Sequence, residues 1–134
     1  MAIIVDADVI IRGERGTFDL KGWLSERSGE PVEIAAITVA ELWHCVEGAD
    51  AAYRSKRETY VRSSVERMSI IPYTETTALI HARIWAALEM TGRMISDYDL
   101  IVAATALERG STVATFNQRH FSSVRGLKVI QPKA

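Results

Sequence analysis

The chain has 134 residues, of which 48% are hydrophobic and 25% are charged, as in an ordinary soluble globular protein too short for two domains. Its formal net charge of −1 excludes a general attraction to nucleic acids or membranes, and its single cysteine, Cys45, excludes an intrachain disulfide. No apolar run is long enough to span a bilayer or to form the core of a signal peptide, so we expect one cytoplasmic domain over residues 1–134, without a membrane partner.

The first half of the chain alternates short β-branched runs with segments of helical spacing. In chain order, these patterns predict a strand at 2–5, a helix from residue 6 to Gly13, a helix at 18–27, a strand at 32–38, and helices at 39–48 and 50–67.

The second half continues this alternation. It predicts a strand at 68–73, a helix at 76–92, a helix at 99–110 that is apolar nearly all round, and strands at 111–116 and 127–132. Strands that alternate with helices indicate an α/β fold, here a three-layer α/β/α sandwich with a short, mostly parallel central sheet. In such folds the ligand site lies beyond the carboxyl ends of the strands, where the strand order reverses.

The stretch "IIVDADVII" at residues 3–11 places Asp6 and Asp8 inside an apolar run. An ionised carboxylate is costly to bury unless it is paired with a cation or its pKa shifts. The rest of the sequence must therefore supply a positive charge for this segment.

Oxygen-bearing side chains stand at four element junctions of the predicted fold. Asp6 follows the first strand, and Glu41 comes just after the second. Asp99 lies at the start of the buried helix, and Asn117 follows the fourth strand. Together these residues suit Mg²⁺ or Mn²⁺, hard cations that take carboxylate, water and phosphate oxygens as ligands. Such a metal would also let a slightly acidic protein hold a nucleic acid and cleave it at phosphorus.

Most of these residues also have a purely structural interpretation. The pairs Thr38–Glu41 and Ser96–Asp99 match the spacing of a helix capping box. Asn117 suits a helix N-cap or an Asx turn. Asp6 begins no obvious capping box, so it is the hardest of the four to explain without a ligand.

Two further aspartates lie two residues from a stronger candidate. On a regular helix that spacing puts them on nearly opposite faces, so Asp8 is expected near the site, either in a hydrogen-bonding role or in the outer shell of the metal. Asp97 is expected to be an acid of the first helical turn, facing the helix dipole, with lining of the site as the alternative.

Five stretches in this order resemble the PIN-domain ribonucleases, and most closely the VapC-type toxins of bacterial toxin–antitoxin pairs. They are "IIVDADVII", "ITVAELWHCV", "TGRMISDYDLIVAATAL", "STVATFNQRHF" and "LKVIQP". The resemblance runs through the whole length of the chain.

The resemblance implies metal-dependent endonucleolytic cleavage of RNA, with Mg²⁺ or Mn²⁺ as cofactor. The acidic quartet of the family falls on Asp6, Glu41, Asp99 and, at the fourth position, Asn117, while Thr115 matches a small hydroxyl residue near the metal. Asp6, Glu41 and Asp99 would then hold the metal, and Asn117 would position a water or a weaker second metal. The family also implies a small antitoxin that covers the active site, and either a toxin homodimer or a toxin–antitoxin hetero-oligomer.

The chain departs from the family pattern at several positions. Ala7 stands where a hydroxyl residue is common, and Asp8 adds charge where a neutral residue is usual. Asn117 is neutral where some relatives carry an acid, which would weaken a second metal site. His120 stands where relatives often have an acid and is expected to be a surface or packing residue.

Other functions fit parts of the sequence. "VDADV" is also similar to the start of haloacid-dehalogenase-type phosphatases. That chemistry requires a lysine after a strand, whereas Lys21 and Lys56 lie in charged helices. A catalytically degenerate PIN domain would act only as a binding module, although the basic residues of segment 50–67 form no single stripe. Arg12 and Arg93 are candidate phosphate contacts, and cleavage of DNA remains open within the same fold.

Overall fold

The structure is a computed structural model that describes residues 2–133. The described part of the chain contains five strands, β1 (Ile3–Val5), β2 (Val32–Ala35), β3 (Ser69–Ile71), β4 (Thr112–Ala114) and β5 (Val129–Ile130). It also contains seven helices, α1 (Ala7–Arg15), α2 (Leu20–Glu26), α3 (Ala36–Glu47), α4 (Ala51–Val65), α5 (Glu75–Thr91), α6 (Asp97–Arg109) and α7 (Gln118–Phe121).

The five strands form one parallel sheet in the order β3-β2-β1-β4-β5. Strands β2 and β3 lie on one side of β1, and the later strands β4 and β5 lie on its other side. Strand order therefore reverses between β1 and β4, and the carboxyl ends of these two strands border the crevice where α/β folds bind ligands.

Side chains of β1 alternate between the two faces of the sheet. Ile3 and Val5 pack into a core with α1, α2, α3 and α4, while Ile4 packs into a second core with α5, α6 and α7. This period of two is the pattern of a sheet buried on both faces. The expected α/β class and three-layer sandwich are therefore confirmed. No described helix is both long and apolar enough to cross a bilayer.

The first helix continues past the glycine that was expected to end it. Helix α1 runs to Arg15 and ends at Gly16, whose φ of 77° is the left-handed conformation favoured by glycine. Gly13 instead lies inside the helix, where a Cβ would come within 2.3 Å of the Tyr60 hydroxyl. Gly13 therefore serves the close packing of α1 against α4.

The second strand is shorter than the sequence pattern predicts. The β-branched residues Ile37 and Thr38 belong to α3, which begins at Ala36. Thr38 is completely buried inside this helix, so tertiary packing overrides the strand preference of the segment. The predicted capping box at Thr38 and Glu41 is wrong, because the N-cap residue is Ala35 and no side chain caps the helix.

Candidate active site

The candidate site lies at the carboxyl ends of β1 and β4. Asp6 directly follows β1, and Thr115 directly follows β4. Glu41 is in the second turn of α3, the helix that follows β2, and Asp99 is in the first turn of α6. The topology therefore brings residues from four separate segments to the reversal of strand order, the place predicted from the sequence.

Asp6 is held by two hydrogen bonds. Its Oδ1 accepts a hydrogen bond from the Ala7 backbone N–H at 2.8 Å, and its Oδ2 accepts one from the Thr115 hydroxyl at 2.8 Å. Asp6 is the N-cap of α1, with extended backbone angles of φ −76° and ψ 154°. A capping role that the sequence did not indicate therefore coexists with a side chain that faces the site.

Asp8 joins the same cluster instead of pointing away from Asp6. Its Oδ2 accepts hydrogen bonds from the Phe116 backbone N–H at 3.0 Å and from the Asn117 side-chain amide at 3.1 Å. The expectation of opposite faces is wrong, because Asp6 precedes the helix and the helical angle does not apply to it. Asp8 instead connects α1 to the segment that follows β4.

Thr115 lies at the centre of this arrangement. Its hydroxyl is 2.8 Å from Asp6 Oδ2 and 3.4 Å from each carboxylate oxygen of Asp8, and it accepts a hydrogen bond from the Asn117 backbone N–H at 3.0 Å. A hydroxyl has one proton to donate, and the shorter distance assigns it to Asp6. Thr115 is fully buried, and its hydrogen bond fixes the orientation of the Asp6 carboxylate.

Asp99 contacts two residues, Ser96 through its backbone and His120 through its carboxylate. Ser96 Oγ accepts a hydrogen bond from the Asp99 backbone N–H at 3.2 Å, which is one half of the predicted capping box. The carboxylate of Asp99 does not complete the box, since its Oδ2 lies 3.1 Å from His120 Nδ1. His120 is exposed, as expected of a surface residue, and in addition it contacts a candidate site carboxylate, which the sequence did not indicate.

Asn117, Asp97 and Thr38 occupy different surroundings. Asn117 is at the N-cap position of α7, where its side chain makes no cap hydrogen bond among the described residues, and its Nδ2 amide donates to Asp8. Asp97 is exposed at the first residue of α6, and the described residues give its side chain no hydrogen bond or ion pair. Thr38 lies one turn before Glu41 on α3, and its buried hydroxyl has no partner within residues 2–133.

The acids raise one another's affinity for protons. Burial, followed by the charge of Asp8, raises the pKa of Asp6 to about 6. Burial, followed by the charges of Asp6 and Asp99, raises the pKa of Glu41 to about 7. The pKa of Asp8 is also raised by burial, although the Phe116 N–H and the charge of Arg12 oppose that rise. The site thus holds more negative charge than the surrounding protein neutralises.

These residues fit a hard divalent cation by donor chemistry. Asp6, Glu41 and Asp99 offer carboxylate oxygens close enough to interact electrostatically, and the unpartnered Thr38 hydroxyl lies one turn from Glu41. Within the described residues, however, no three His, Cys, Asp or Glu side chains converge tightly enough to form a finished metal site.

Comparison with known proteins agrees with the fold. The family model of the PIN domain matches residues 3–127. Ribonuclease VapC1 of Rickettsia felis is 28% identical over 134 residues, which cover 97% of this chain and 96% of that protein.

Two solved structures are similar over nearly the whole chain. VapBC2 from Rickettsia felis, bound to a DNA fragment from the promoter, has a TM-score of 0.91 at 18% identity and covers 99% of this chain and 100% of its own. VapBC-5 from Mycobacterium tuberculosis, a member of the VapBC family of toxin–antitoxin systems, has a TM-score of 0.75 at 26% identity and covers 99% and 98%.

Proposed function

The chain belongs to the PIN domain family, and from this membership and the site we propose that it is a divalent-metal-dependent endoribonuclease, the toxin of a toxin–antitoxin pair. Its relative in Rickettsia felis is named a ribonuclease and matches nearly the full length of both chains. The comparisons give no support to a haloacid-dehalogenase-type phosphatase or to a domain that only binds a partner.

One observation carries the proposal: acids from three segments meet at the reversal of strand order, and within residues 2–133 no lysine or arginine forms an ion pair with them. Asp6 is buried beside β4, and Glu41 and Asp99 approach it from α3 and α6. A carboxylate cluster of this kind favours a bound cation over an empty state. RNA phosphates would then reach a positive centre in a protein whose net charge is −1.

We assign the metal to Asp6, Glu41 and Asp99, with Mg²⁺ or Mn²⁺ as the ion. When bound, such an ion supplies Lewis-acid chemistry at a phosphodiester and offsets the charge of the carboxylates. Thr115 holds Asp6 in place by its 2.8 Å hydrogen bond, and His120 orients Asp99.

Asn117 ties Asp8 to the start of α7 and places its amide at the mouth of the site. From there it would position a water, together with the exposed Asp97. Asp6 and Asp99 are held by hydrogen bonds, while Asn117 and Asp97 are exposed to substrate.

We also infer a protein partner. VapBC-5 of Mycobacterium tuberculosis, 26% identical to this chain, belongs to a family of toxin–antitoxin systems. By analogy this chain would bind a small cognate antitoxin, as a homodimer of toxins or in a hetero-oligomer with antitoxin. Large exposed apolar side chains on α5, namely Leu79, Trp85 and Met90, are consistent with a protein interface.

Cleavage by the purified, antitoxin-free protein tests the proposed function. A structured RNA pool is incubated with the protein and Mg²⁺, Mn²⁺ or EDTA, and the products are resolved on a denaturing gel. We expect internal cuts with either metal and none with EDTA. Absence of cutting with both metals, from protein that is folded by circular dichroism, would contradict the proposal.

A further inference from the structure

A second feature opens beside the acidic cluster. It is a groove of about 800 Å³ between the loop that precedes α6 and the segment around α7. This volume falls within the range of about 300–1,000 Å³ that is typical of ligand sites. Seven of its ten lining residues carry hydrogen-bonding or charged side chains, namely Arg93, Asn117, Gln118, Arg119, His120, Ser123 and Gln131.

The charge of this groove is opposite to that of the acidic cluster. Its lining includes Arg93 and Arg119 but no carboxylate. Both arginines are exposed, and within the described residues neither guanidinium forms an ion pair or a hydrogen bond. Five of the other ten arginines do form ion pairs among the described residues, as Arg57 does with Glu14 at 2.9 Å. The groove therefore presents two positive charges that the fold itself does not use.

The groove and the acidic cluster share a boundary. Asn117 lines the groove and bonds Asp8, while His120 lines the groove and lies 3.1 Å from the carboxylate of Asp99. A polymer held in the groove would thus pass directly across the acids. Amide side chains of Gln118 and Gln131 are exposed in the same groove, where they can donate to and accept from base edges.

We propose that this groove, hereafter the flanking groove, binds the single-stranded RNA next to the bond that is cut, with Arg93 and Arg119 contacting its phosphates. The inference rests on the proposed function and deepens it by assigning the substrate-binding surface. A guanidinium matches the phosphate geometry by paired N–H donors, whereas the acids repel phosphate unless a cation is present. The two surfaces therefore divide the substrate, with the cut phosphate at the acids and the flanking phosphates at the arginines.

The double variant Arg93→Gln, Arg119→Gln tests the flanking groove. Its matched control is Arg83→Gln, Arg125→Gln, which removes the same charge from two exposed arginines that line a different cavity. Single-turnover cleavage of the RNA pool gives the half-saturating protein concentration and the maximum rate. Fluorescence anisotropy with a labelled single-stranded RNA of mixed sequence, in an Asp6→Asn background with Mg²⁺, gives binding without relying on cleavage.

We expect the groove variant to raise the half-saturating concentration by about tenfold or more and to leave the maximum rate nearly unchanged, because the lost contacts hold flanking phosphates. Its salt dependence should fall by about 0.7 in log–log slope for each lost phosphate contact, since a single strand releases about that many counterions per phosphate. The control should match the parent in both measurements.

Two results would overturn the flanking groove while leaving the nuclease intact. In the first, the groove variant cleaves and binds RNA as the parent does. This result would overturn the flanking groove whether or not the variant binds an antitoxin more weakly. The other is an equal loss of RNA binding in the groove variant and in the control. That result would indicate that RNA binding depends on the overall positive charge and not on a defined site. If the parent cuts no RNA, the proposed function fails, and the anisotropy comparison still decides whether the groove binds RNA. Should the double variant not fold, the two single variants replace it.

Discussion

Two buried carboxylates on neighbouring strands have contrasting surroundings. Glu33 lies on β2 and is 2% exposed, and Asp6 follows β1 and is 7% exposed. Glu33 accepts hydrogen bonds from Arg109 Nε at 2.9 Å, from a second nitrogen of the same guanidinium and from the Ser111 hydroxyl at 2.6 Å. Within the described residues, Asp6 receives hydrogen bonds only from neutral donors, the Ala7 N–H and the Thr115 hydroxyl.

The difference separates an acid whose charge the fold neutralises from an acid that we assign to the metal. Glu33 has a cation supplied by the fold, so its charge links β2 to the end of α6. Asp6 has no such cation among residues 2–133, so burial, followed by the charge of Asp8, raises its pKa to about 6, and its charge favours a bound cation. Burial alone does not distinguish these two carboxylates, whereas the presence or absence of a counter-charge among residues 2–133 does.

The largest expected effect is on cleavage, and it should follow this distinction. Asp6→Asn removes a carboxylate assigned to the metal, so RNA cleavage should fall by about 100-fold or more, as when an electrostatic catalytic group is removed. Glu33→Gln keeps the acids of the site unchanged, so the folded fraction should cleave at close to the parental rate. Initial rates per folded molecule, measured at saturating Mg²⁺, check this, and equal losses in both variants would contradict the distinction.

Thr115 should contribute a smaller effect through Asp6. Thr115→Val keeps the shape but loses the 2.8 Å hydrogen bond, so the metal concentration for half-maximal cleavage should rise by about 10–100-fold, as for other groups that orient metal ligands. Thr105→Val is the control, since Thr105 is equally buried but donates to the Ile101 carbonyl inside α6. A metal titration that does not change in Thr115→Val would show that Asp6 is oriented by other contacts.

Neutralising Asp6 and neutralising Glu33 should have opposite effects on the free energy of unfolding when no metal is bound. In EDTA at pH 8, Asp6→Asn should raise the free energy of unfolding by about 1–2 kcal/mol, because it removes a buried charge that is repelled by its neighbours. Glu33→Gln should lower it by about 1–3 kcal/mol, because the ionic hydrogen bonds are lost. Urea denaturation measures both changes. Changes of the same sign would contradict the contrast between Asp6 and Glu33.

The stabilising effect of Asp6→Asn should depend on pH. Folding raises the pKa of Asp6 from 3.8 to about 6, so the folded state holds the proton more tightly than the unfolded chain does. The contribution of Asp6 to stability is therefore fully present below pH 3.8 and is lost as the pH rises through about 6. The difference between parent and variant in EDTA should be near zero at pH 4 and about 1–2 kcal/mol at pH 7. A difference independent of pH would contradict the electrostatic cause.

The sequence predicted the architecture and the neighbourhood of the site, because these depend on local patterns. Alternating strands and helices gave the parallel sheet, and the positions of Asp6, Glu41 and Asp99 after strands or at a helix start placed them at one edge. The assignment of Thr115 came from the family resemblance, and the structure gives it hydrogen bonds to Asp6 and Asn117.

Other features depend on contacts between distant segments. Asp8 enters the cluster through Phe116 and Asn117, which are more than 100 residues away, and no helical periodicity encodes that contact. His120 reaches Asp99 only because α7 packs beside α6. The start of α3 at Ala36 was missed because its β-branched residues favour a strand in isolation.

The most direct test of the central claim compares Asp99→Asn with Asp50→Asn in metal-dependent RNA cleavage. Both substitutions neutralise an aspartate near the start of a helix, but Asp50 is exposed and makes no cap hydrogen bond at the start of α4. Circular dichroism on both variants verifies folding. Loss of Mg²⁺-dependent cutting by about 100-fold or more in Asp99→Asn alone is the predicted result, whereas cutting by Asp99→Asn at the parental rate would contradict a metal-dependent site built on these acids.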